Sequence, residues 1–476
     1  KPIIVTWIGG ERAAEGRRIL LQNNVPAYAT PEEAVKTYLY MYRYRKNIDL
    51  LYQTPAEAVQ TNPPLKNYLK MAVRQAVKDQ KHTLGAEHAL GLLKNYRIQT
   101  VKTAVVTQPD QVIGRIRDIG LPLTITIRCL HEDKDDRTIS IATEEEVETA
   151  YLEVMRRFSR GDTVDKQDVE IILQMAVSPD GYRLKLQSKR DPDFRTILVL
   201  SRVAGETENV SIALPPLNQT LAGRFLEGAG IYNMLNDTDA GQKTLAKLEG
   251  IVLSFSNLVV DFAEIEHLEL VLWVRQSDVL ARDIKIIPCR DYDESTPYPH
   301  LVIAPYPSRY IATWSLPDGT EVLLRPIRPE DEPMSRQMLD TLSEETLRSR
   351  FFAPRDITHD LLIRSCNIDY DREIAIVAEV KKDGKKKMIG GSRLISEPDS
   401  GRGQFAILVH DDYQRMGLGA KLIDILIGIA QEKQLDEIYG LVLTENQKML
   451  GLCRKLGFKV KWEPDGVSRV TLSLKT

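Results

Sequence analysis

The chain has 476 residues, 43% of them hydrophobic and 28% charged, which suits about three globular domains and excludes a disordered polymer. Its 64 basic and 67 acidic side chains leave a net charge of −3, without the basic excess expected of a nucleic-acid protein. No segment approaches the roughly 20 apolar residues of a membrane span, and four cysteines lacking C-x-x-C spacing or a histidine cluster suit neither zinc nor a disulfide framework, so reducing, cytoplasmic surroundings are expected.

The N-terminal KPIIVTWIGG carries an apolar run, Ile3 to Ile8, closed by Gly9-Gly10. Charge follows at once at Glu11 and Arg12, unlike a signal peptide. With no initiator methionine, a fragment or a processed chain is expected. Ala13 to Leu21 is helical in pattern. Thr30-Pro31-Glu32-Glu33 is a helix start, with Thr as N-cap, Pro in the first position and acids in the first turn. Residues 1–60 thus form a βαβα piece, too short for a doubly wound domain. Gln53 to Pro64 is polar and proline-bearing, as linkers are.

From 61 to about 305, helices and strands mix. GAEHALGLLKNYRIQTV predicts a helix and a turn; LPLTITIRCL, DVEIILQMAV and TILVLSRVA predict strands rich in β-branched residues. The acidic runs Glu132 to Asp136 and Glu144 to Glu148 are a solvated loop and a helix start. Pro305, Pro307 and Pro317-Asp318-Gly319 mark a joint and a hairpin turn over 306–319. IAIVAEVKKDGKKKMIGGSRLI is a hairpin tipped by Asp383-Gly384. Its five lysines suit an acidic partner, but a solvated loop is the plainer reading.

The chemistry concentrates after residue 400. Phe405 to Val409 is an apolar strand, and Leu418, Leu422, Ile425, Leu426 and Ile429 fall on one helical face. Between strand and helix runs Gln414-Arg415-Met416-Gly417-Leu418-Gly419-Ala420. Unpaired amides at a helix start, with the helix dipole, make an anion site. Gly417 and Gly419 bare the backbone, and Arg415 adds a charge that reaches phosphate. The loop is neither a Walker A sequence nor G-x-G-x-x-G, and alone it equally suits a tight strand-to-helix turn.

Three ordered motifs supply the context: this Q-x-x-G-x-G after a strand, Asn446 leading a helix that ends in Leu456-Gly457-Phe458, and VLLRPIRPEDEPM upstream. Together they resemble the GNAT acetyltransferase superfamily over about 320–476. The resemblance implies a mixed central sheet with flanking helices and an acetyl-CoA wedge between the strand 405–409 and a strand ending near Leu443. The pyrophosphate would rest on Arg415 to Ala420, with Gln414 and Asn446 in the site, and the pantetheine arm would pair near Leu408 and Val409. An uncharged amine would attack the thioester, with a backbone N–H near Val409 stabilising the oxyanion. Protein lysine acetyltransferases of this type usually begin the fourth strand with glutamate; here Gln404 stands there, and an amide accepts no proton at neutral pH. The family's frequent tyrosine acid is replaced by Cys453, either a thiol acid or a small core residue. Glu445 is the candidate base, or else a surface acid at a helix start. His410 and Asp412 face the wrong end of the cofactor.

Residues 1–60 resemble the last piece of a flavodoxin-like CoA-ligase domain, and 61–305 resemble the ATP-grasp part of NDP-forming acyl-CoA synthetases. Gly120-Leu121-Pro122, Asp191-Pro192-Asp193-Phe194 and Ala213 to Asn218 are the landmarks. The whole is an α/β multidomain chain laid out like the Pat-type protein lysine acetyltransferases, whose known kind of target is acetyl-CoA synthetase. The synthetase chemistry is expected to be lost. Thr126 replaces a phosphate-binding lysine, LHEDKDDRT replaces a glycine-rich loop, Trp273-Val274 replaces Asn-Pro, and Arg183 replaces a glutamate. No intact ATP or metal site is expected. The alternatives are a catalytically inactive acetyl-CoA sensor and an ADP-forming acyl-CoA synthetase. A homo-oligomer is compatible with either.

Overall fold

The computed structural model of the protein describes residues 3–51, 63–131, 136–159, 169–178, 180–203, 209–235, 239–275, 278–291, 298–352, 357–382, 384–397, 400–463 and 466–475. Most of the expected linker 53–64, the acidic residues 132–135 and Asp383 lie outside the described residues.

The first apolar run yields only a short β1 (Val5–Thr6); α1 (Glu11–Gln22) then leads to β2 (Ala27–Tyr28), parallel to β1, and α2 (Pro31–Leu51) follows. Strand pairing reaches two residues of the expected six, and Ile3 and Ile8 stay 72% and 71% exposed. The helix start is where the pattern puts it: Thr30 Oγ1 accepts the amide of Glu33 at 3.3 Å.

Next come α3 (Pro63–Lys78), α4 (Ala86–Asn95), β3 (Thr103–Val106), α5 (Val112–Ile119), β4 (Leu123–Cys129), β5 (Arg137–Ile141), α6 (Glu144–Ser159) and β6 (Val169–Met175). The four strands form an antiparallel sheet in the order β3-β6-β4-β5, with α5 and α6 packed on it. Then follow β7 (Tyr182–Asp191), β8 (Arg195–Arg202), β9 (Ser211–Ala213), α7 (Gln219–Gly228), α8 (Ile231–Leu235), α9 (Asp239–Asp261), β10 (Ile265–Arg275) and β11 (Asp278–Pro288). These strands form a second antiparallel sheet, β11-β10-β7-β8-β9, sharing a core with α3, α4, α7 and α9.

The last part holds β12 (Ala312–Ser315), β13 (Glu321–Pro326), α10 (Glu332–Asp340), α11 (Glu344–Phe351), α12 (His359–Cys366), β14 (Glu373–Lys382), β15 (Lys385–Ser396), β16 (Arg402–Val409), α13 (Leu418–Glu432), β17 (Glu437–Leu443), α14 (Gln447–Lys455), β18 (Lys459–Trp462) and β19 (Val467–Ser473). They build one mixed sheet, β12-β13-β14-β15-β16-β17-β19-β18, in which only β16 and β17 are parallel neighbours. In β14, Ile374, Ile376 and Ala378 enter the core with α13, while Ala375 and Val377 enter a core with Met338 of α10 and Cys366 of α12. Burial on both faces explains its unbroken apolar run. The hairpin expected at Pro317-Asp318-Gly319 is present, with Gly319 at φ +84°. Its first arm is not part of a linker: β12 is the edge strand of this sheet, pairing Ala312 with Leu324.

A short strap joins the units. Arg195 donates to the carbonyls of Pro299 and Leu301 at 3.1 and 2.9 Å. The Tyr306 hydroxyl donates to the carbonyl of Pro326 at 2.8 Å. Between these anchors Val302 and Ile303 are exposed.

Under β13, the buried Arg325 donates two hydrogen bonds to Asp331, both at 2.7 Å, and two to Glu379, at 2.9 and 3.1 Å. Removing the cation leaves Asp331 with the Arg328 amide and Glu379 with Lys386 as partners, and breaking such buried networks costs about 3–5 kcal/mol. Arg325→Met is therefore expected to lower the protection of β13 and β14 amides in hydrogen exchange by at least two orders of magnitude. Wild-type protection in the variant would show that the network contributes nothing net.

Candidate functional site

β16 and β17 pair over only three positions, Arg402 with Glu437, Gly403 with Ile438 and Gln404 with Tyr439. Both strands then run on without a shared ladder, to Val409 and Leu443. A cleft of about 540 Å³ opens where they part, and its wall includes Gln404 to Val409, Gln414, Arg415, Gly417, Gly419, Ala420 and Asn446. The two halves of the sequence pattern thus meet in one place.

In an antiparallel ladder, successive residues turn their N–H and C=O groups to opposite edges. His410 gives its N–H to Ile389 of β15 at 2.9 Å. Leu408 therefore also faces β15, its carbonyl 3.0 Å from the place a Cβ would take on Gly390. This corrects the expectation of backbone pairing at Leu408, whose main chain is already spent in the sheet. Ile407 and Val409 present theirs to the cleft, where the Val409 carbonyl accepts the Gln414 side chain at 3.2 Å.

The loop is held by short contacts. Asp411 accepts the amide and hydroxyl of Ser343, both at 2.8 Å, and the hydroxyl of Thr346 at 2.6 Å. Burial raises its pKa, but these hydrogen bonds outweigh that and hold the carboxyl below the usual range. They also dock the start of α11 beside the loop. Arg415 and Gly417 both take positive φ, +63° and +88°. The backbone then enters α13, and the first intrahelical bond runs from Lys421 N to Gly417 O at 3.1 Å. No side chain caps α13. Its neighbours are capped: Ser343 caps α11, Thr358 caps α12, and Asn446 caps α14 by accepting from Met449 N at 3.0 Å. The free donors at the head of α13 face the cleft, as an anion site requires. Leu418 is buried and Met416 partly buried against the core, so these two offer only backbone.

The candidate proton carriers are scattered. Gln404 lines the cleft at the vertex of the two strands. Glu445 does not line it; its exposed carboxylate pairs with Arg348 at 3.1 Å. Cys453 is fully buried among apolar side chains, and burial pushes its thiol up to about 11. That is a core position, which removes Cys453 from the cleft wall. His410 is buried, with its ring between Thr341 and the amide of Asp412. Sequence reasoning missed the opposite wall, Thr346, Ser349 and Arg350 of α11, and Lys448 and Lys455 of α14. It also missed Tyr439, whose hydroxyl donates to Glu397 at 2.5 Å beneath the Arg469 guanidinium, 4.1 Å from the ring.

A second cleft, of about 340 Å³, lies between the two N-terminal sheets. Thr126 meets Thr138 at 3.1 Å on its wall, and the Trp273 indole N–H donates to Ser178 O at 3.0 Å. Arg128, paired with Asp136 at 2.6 Å, Arg183, Arg282, Gln174 and Asp283 also line it. Among the described residues no three of His, Cys, Asp and Glu are grouped to hold a metal ion. No described helix is long and apolar enough to cross a membrane.

Residues 75–287 match the family model of the ATP-grasp domain, and residues 338–458 that of the acetyltransferase (GNAT) family. Acetyltransferase PA5475 of Pseudomonas aeruginosa is 36% identical over 157 residues, 33% of this chain and 84% of that protein. The ADP-forming 4-hydroxybutyrate–CoA ligase of Nitrosopumilus maritimus is 22% identical over 279 residues, 57% of this chain and 39% of the ligase. Acetyltransferase Pat of Mycolicibacterium smegmatis is 30% identical over 141 residues, 29% of this chain and 41% of that protein. The chain thus spans well under half the length of the last two.

With its thiol pushed up to about 11, Cys453 is expected to alkylate at pH 8 two to three orders of magnitude more slowly than an exposed cysteine. Iodoacetamide labelling of the native protein followed by peptide mapping measures this. Labelling at the rate of a free thiol would return Cys453 to the cleft.

Proposed function

The chain belongs to the acetyltransferase (GNAT) family, and on that premise we propose that it transfers the acetyl group of acetyl-CoA to lysine side chains of a protein substrate. The carrying observation is the uncapped head of α13, opening onto a cleft between strands that have stopped pairing. The amides of Leu418, Gly419 and Ala420, with Arg415, hold the diphosphate. The backbone of Ile407 and the N–H of Val409, whose carbonyl already accepts Gln414, pair with the amide arm. Five residues of extended strand, about 17 Å at the usual rise, carry that arm from Val409 to the vertex at Gln404. The acceptor nitrogen attacks the thioester carbon there. A main-chain N–H facing the gap stabilises the developing oxyanion, the C–S bond breaks, and the thiolate leaves toward solvent and takes up a proton.

The acceptor must lose a proton before it attacks. With a pKa of about 10.4, roughly one lysine in a thousand is neutral near pH 7.4. Gln404 orients a water but takes no proton, and Glu445 is tied to Arg348 outside the cleft. Deprotonation by solvent is therefore the proposed route. The rate should rise about tenfold per pH unit between 7 and 10, as the neutral fraction grows. Gln404→Glu is expected to raise kcat at pH 7.5 at least tenfold, given the usual 10²–10⁴ of general base catalysis, and to move the rise to lower pH. Glu445→Gln is expected to leave the pH profile unchanged. A flat profile for the wild type, or one that Glu445→Gln alters, overturns this assignment.

We further propose that residues 61–305 act as a regulatory scaffold rather than a synthetase. In support, Thr126, bonded to Thr138, and Trp273, bonded to Ser178 O, occupy the positions where the resemblance to synthetases expects a phosphate-binding lysine and a metal-holding asparagine. Labelled acetyl-CoA with a candidate acyl-CoA synthetase tests the whole reading: label should reach lysine without ATP. Gly419→Val, whose new side chain would meet Ile407 and Leu452 on the cleft floor, should abolish both uptake and transfer. Uptake without transfer favours the acetyl-CoA sensor, to which Gln404 points. ATP consumption dependent on CoA and an acid favours a synthetase.

A further inference from the structure

Among the described residues, five charged side chains lie on the wall of the cleft between β16 and β17: Glu345, Arg350, Arg415, Lys448 and Lys455. Four are cations, more than one diphosphate on a helix head requires. Two of them share an element. Lys448, Leu452 and Lys455 stand at i, i+4 and i+7 of α14, on one face of the helix. Leu452 fixes where that face sits: its Cδ2 lies 3.5 Å from the place a Cβ would take on Gly419. The opposite face of α14 carries Leu450 and Cys453 into the core. The two lysines thus leave the helix one turn to either side of the contact with the diphosphate loop. Lys448 has a rim carboxylate, Glu345, 3.7 Å away with both side chains exposed. Such a pair is worth little and leaves the amine available.

Resting on the acetyl-CoA reading of this cleft, we infer that Lys448 and Lys455 grip the 3′-phosphate of the coenzyme and make the protein select CoA over its 3′-dephospho form. Besides the diphosphate, CoA carries one other phosphate, a monoester on the ribose beside the diphosphate. The free amides of α13 and Arg415 satisfy the diphosphate. The surplus cations, on the helix whose Leu452 touches the loop, match the monoester dianion in charge. Lysine suits this role as a mobile point charge with several donors.

Calorimetry of the full chain with acetyl-CoA and with acetyl-3′-dephospho-CoA, at one fixed salt concentration, tests the assignment. The wild type should bind acetyl-CoA at least tenfold more tightly. The double variant Lys448→Ala, Lys455→Ala should bring the two affinities within about twofold, by weakening acetyl-CoA alone. The double variant with arginine at both positions should restore the preference. Equal affinities in the wild type overturn the inference, as does an alanine variant that weakens both ligands by the same factor. If the wild type takes up neither ligand, the acetyl-CoA reading of the cleft fails with it. Binding without preference sinks the 3′-phosphate assignment alone.

Discussion

Two parallel strands that stop pairing after three residues set the rest of the C-terminal unit. An aromatic wedge marks the parting point. The Phe405 ring lies across Gly440, where any Cβ would come within 2.8 Å of it, and packs on Phe458 at a centroid distance of 5.2 Å. Pairing ends one position earlier, at Gln404 and Tyr439. Beyond it, the main-chain groups of β16 on that edge have no strand to satisfy them. Unspent backbone in a partly buried gap is costly unless something polar fills it. The parting therefore creates both the space for an extended amide-bearing ligand and the demand for one. The loop beyond Val409 then turns straight into a helix whose first amides are equally unsatisfied.

Much of this was legible in the sequence because it follows from local chemistry. The Thr-Pro-Glu-Glu start, the hairpin at Pro317-Asp318-Gly319 and the apolar stripe of α13 each encode their own geometry within a few residues. The loop from Gln414 to Ala420 likewise announced itself through two glycines at a helix mouth. What failed depended on distant partners. The run Ile3 to Ile8 has strand composition, but strand length is set by its neighbour, and β2 offers two positions. Glu445 is a plausible base until Arg348, nearly a hundred residues upstream, is seen beside it. Leu408 and Ile407 are equally apolar, and only the direction of the ladder with β15 says which one faces the gap. Thr346, Ser349 and Arg350 were invisible because Asp411 recruits their helix through space.

The N-terminal sheets and the C-terminal sheet keep different kinds of order. In the C-terminal unit, polar side chains converge on a helix start and leave main-chain donors free. In the cleft between the N-terminal sheets, polar groups already answer one another: Thr126 with Thr138, Arg128 with Asp136, and Trp273 with Ser178 O. Arg183 and Arg282 share that wall. On the proposed reading, that contrast separates a scaffold from a working cleft.

The strap between the units has a consequence of its own. It is pinned by Arg195 at Pro299 and Leu301 and again by Tyr306 at Pro326, which leaves residues 302–305 as the span between anchors. Four residues reach about 14 Å at full extension. A protein docked on the ATP-grasp region would therefore be confined near the thioester at an effective concentration in the millimolar range. Under the proposed lysine acetylation, an acceptor too weakly bound to be captured from dilute solution would still react when its carrier is tethered next door.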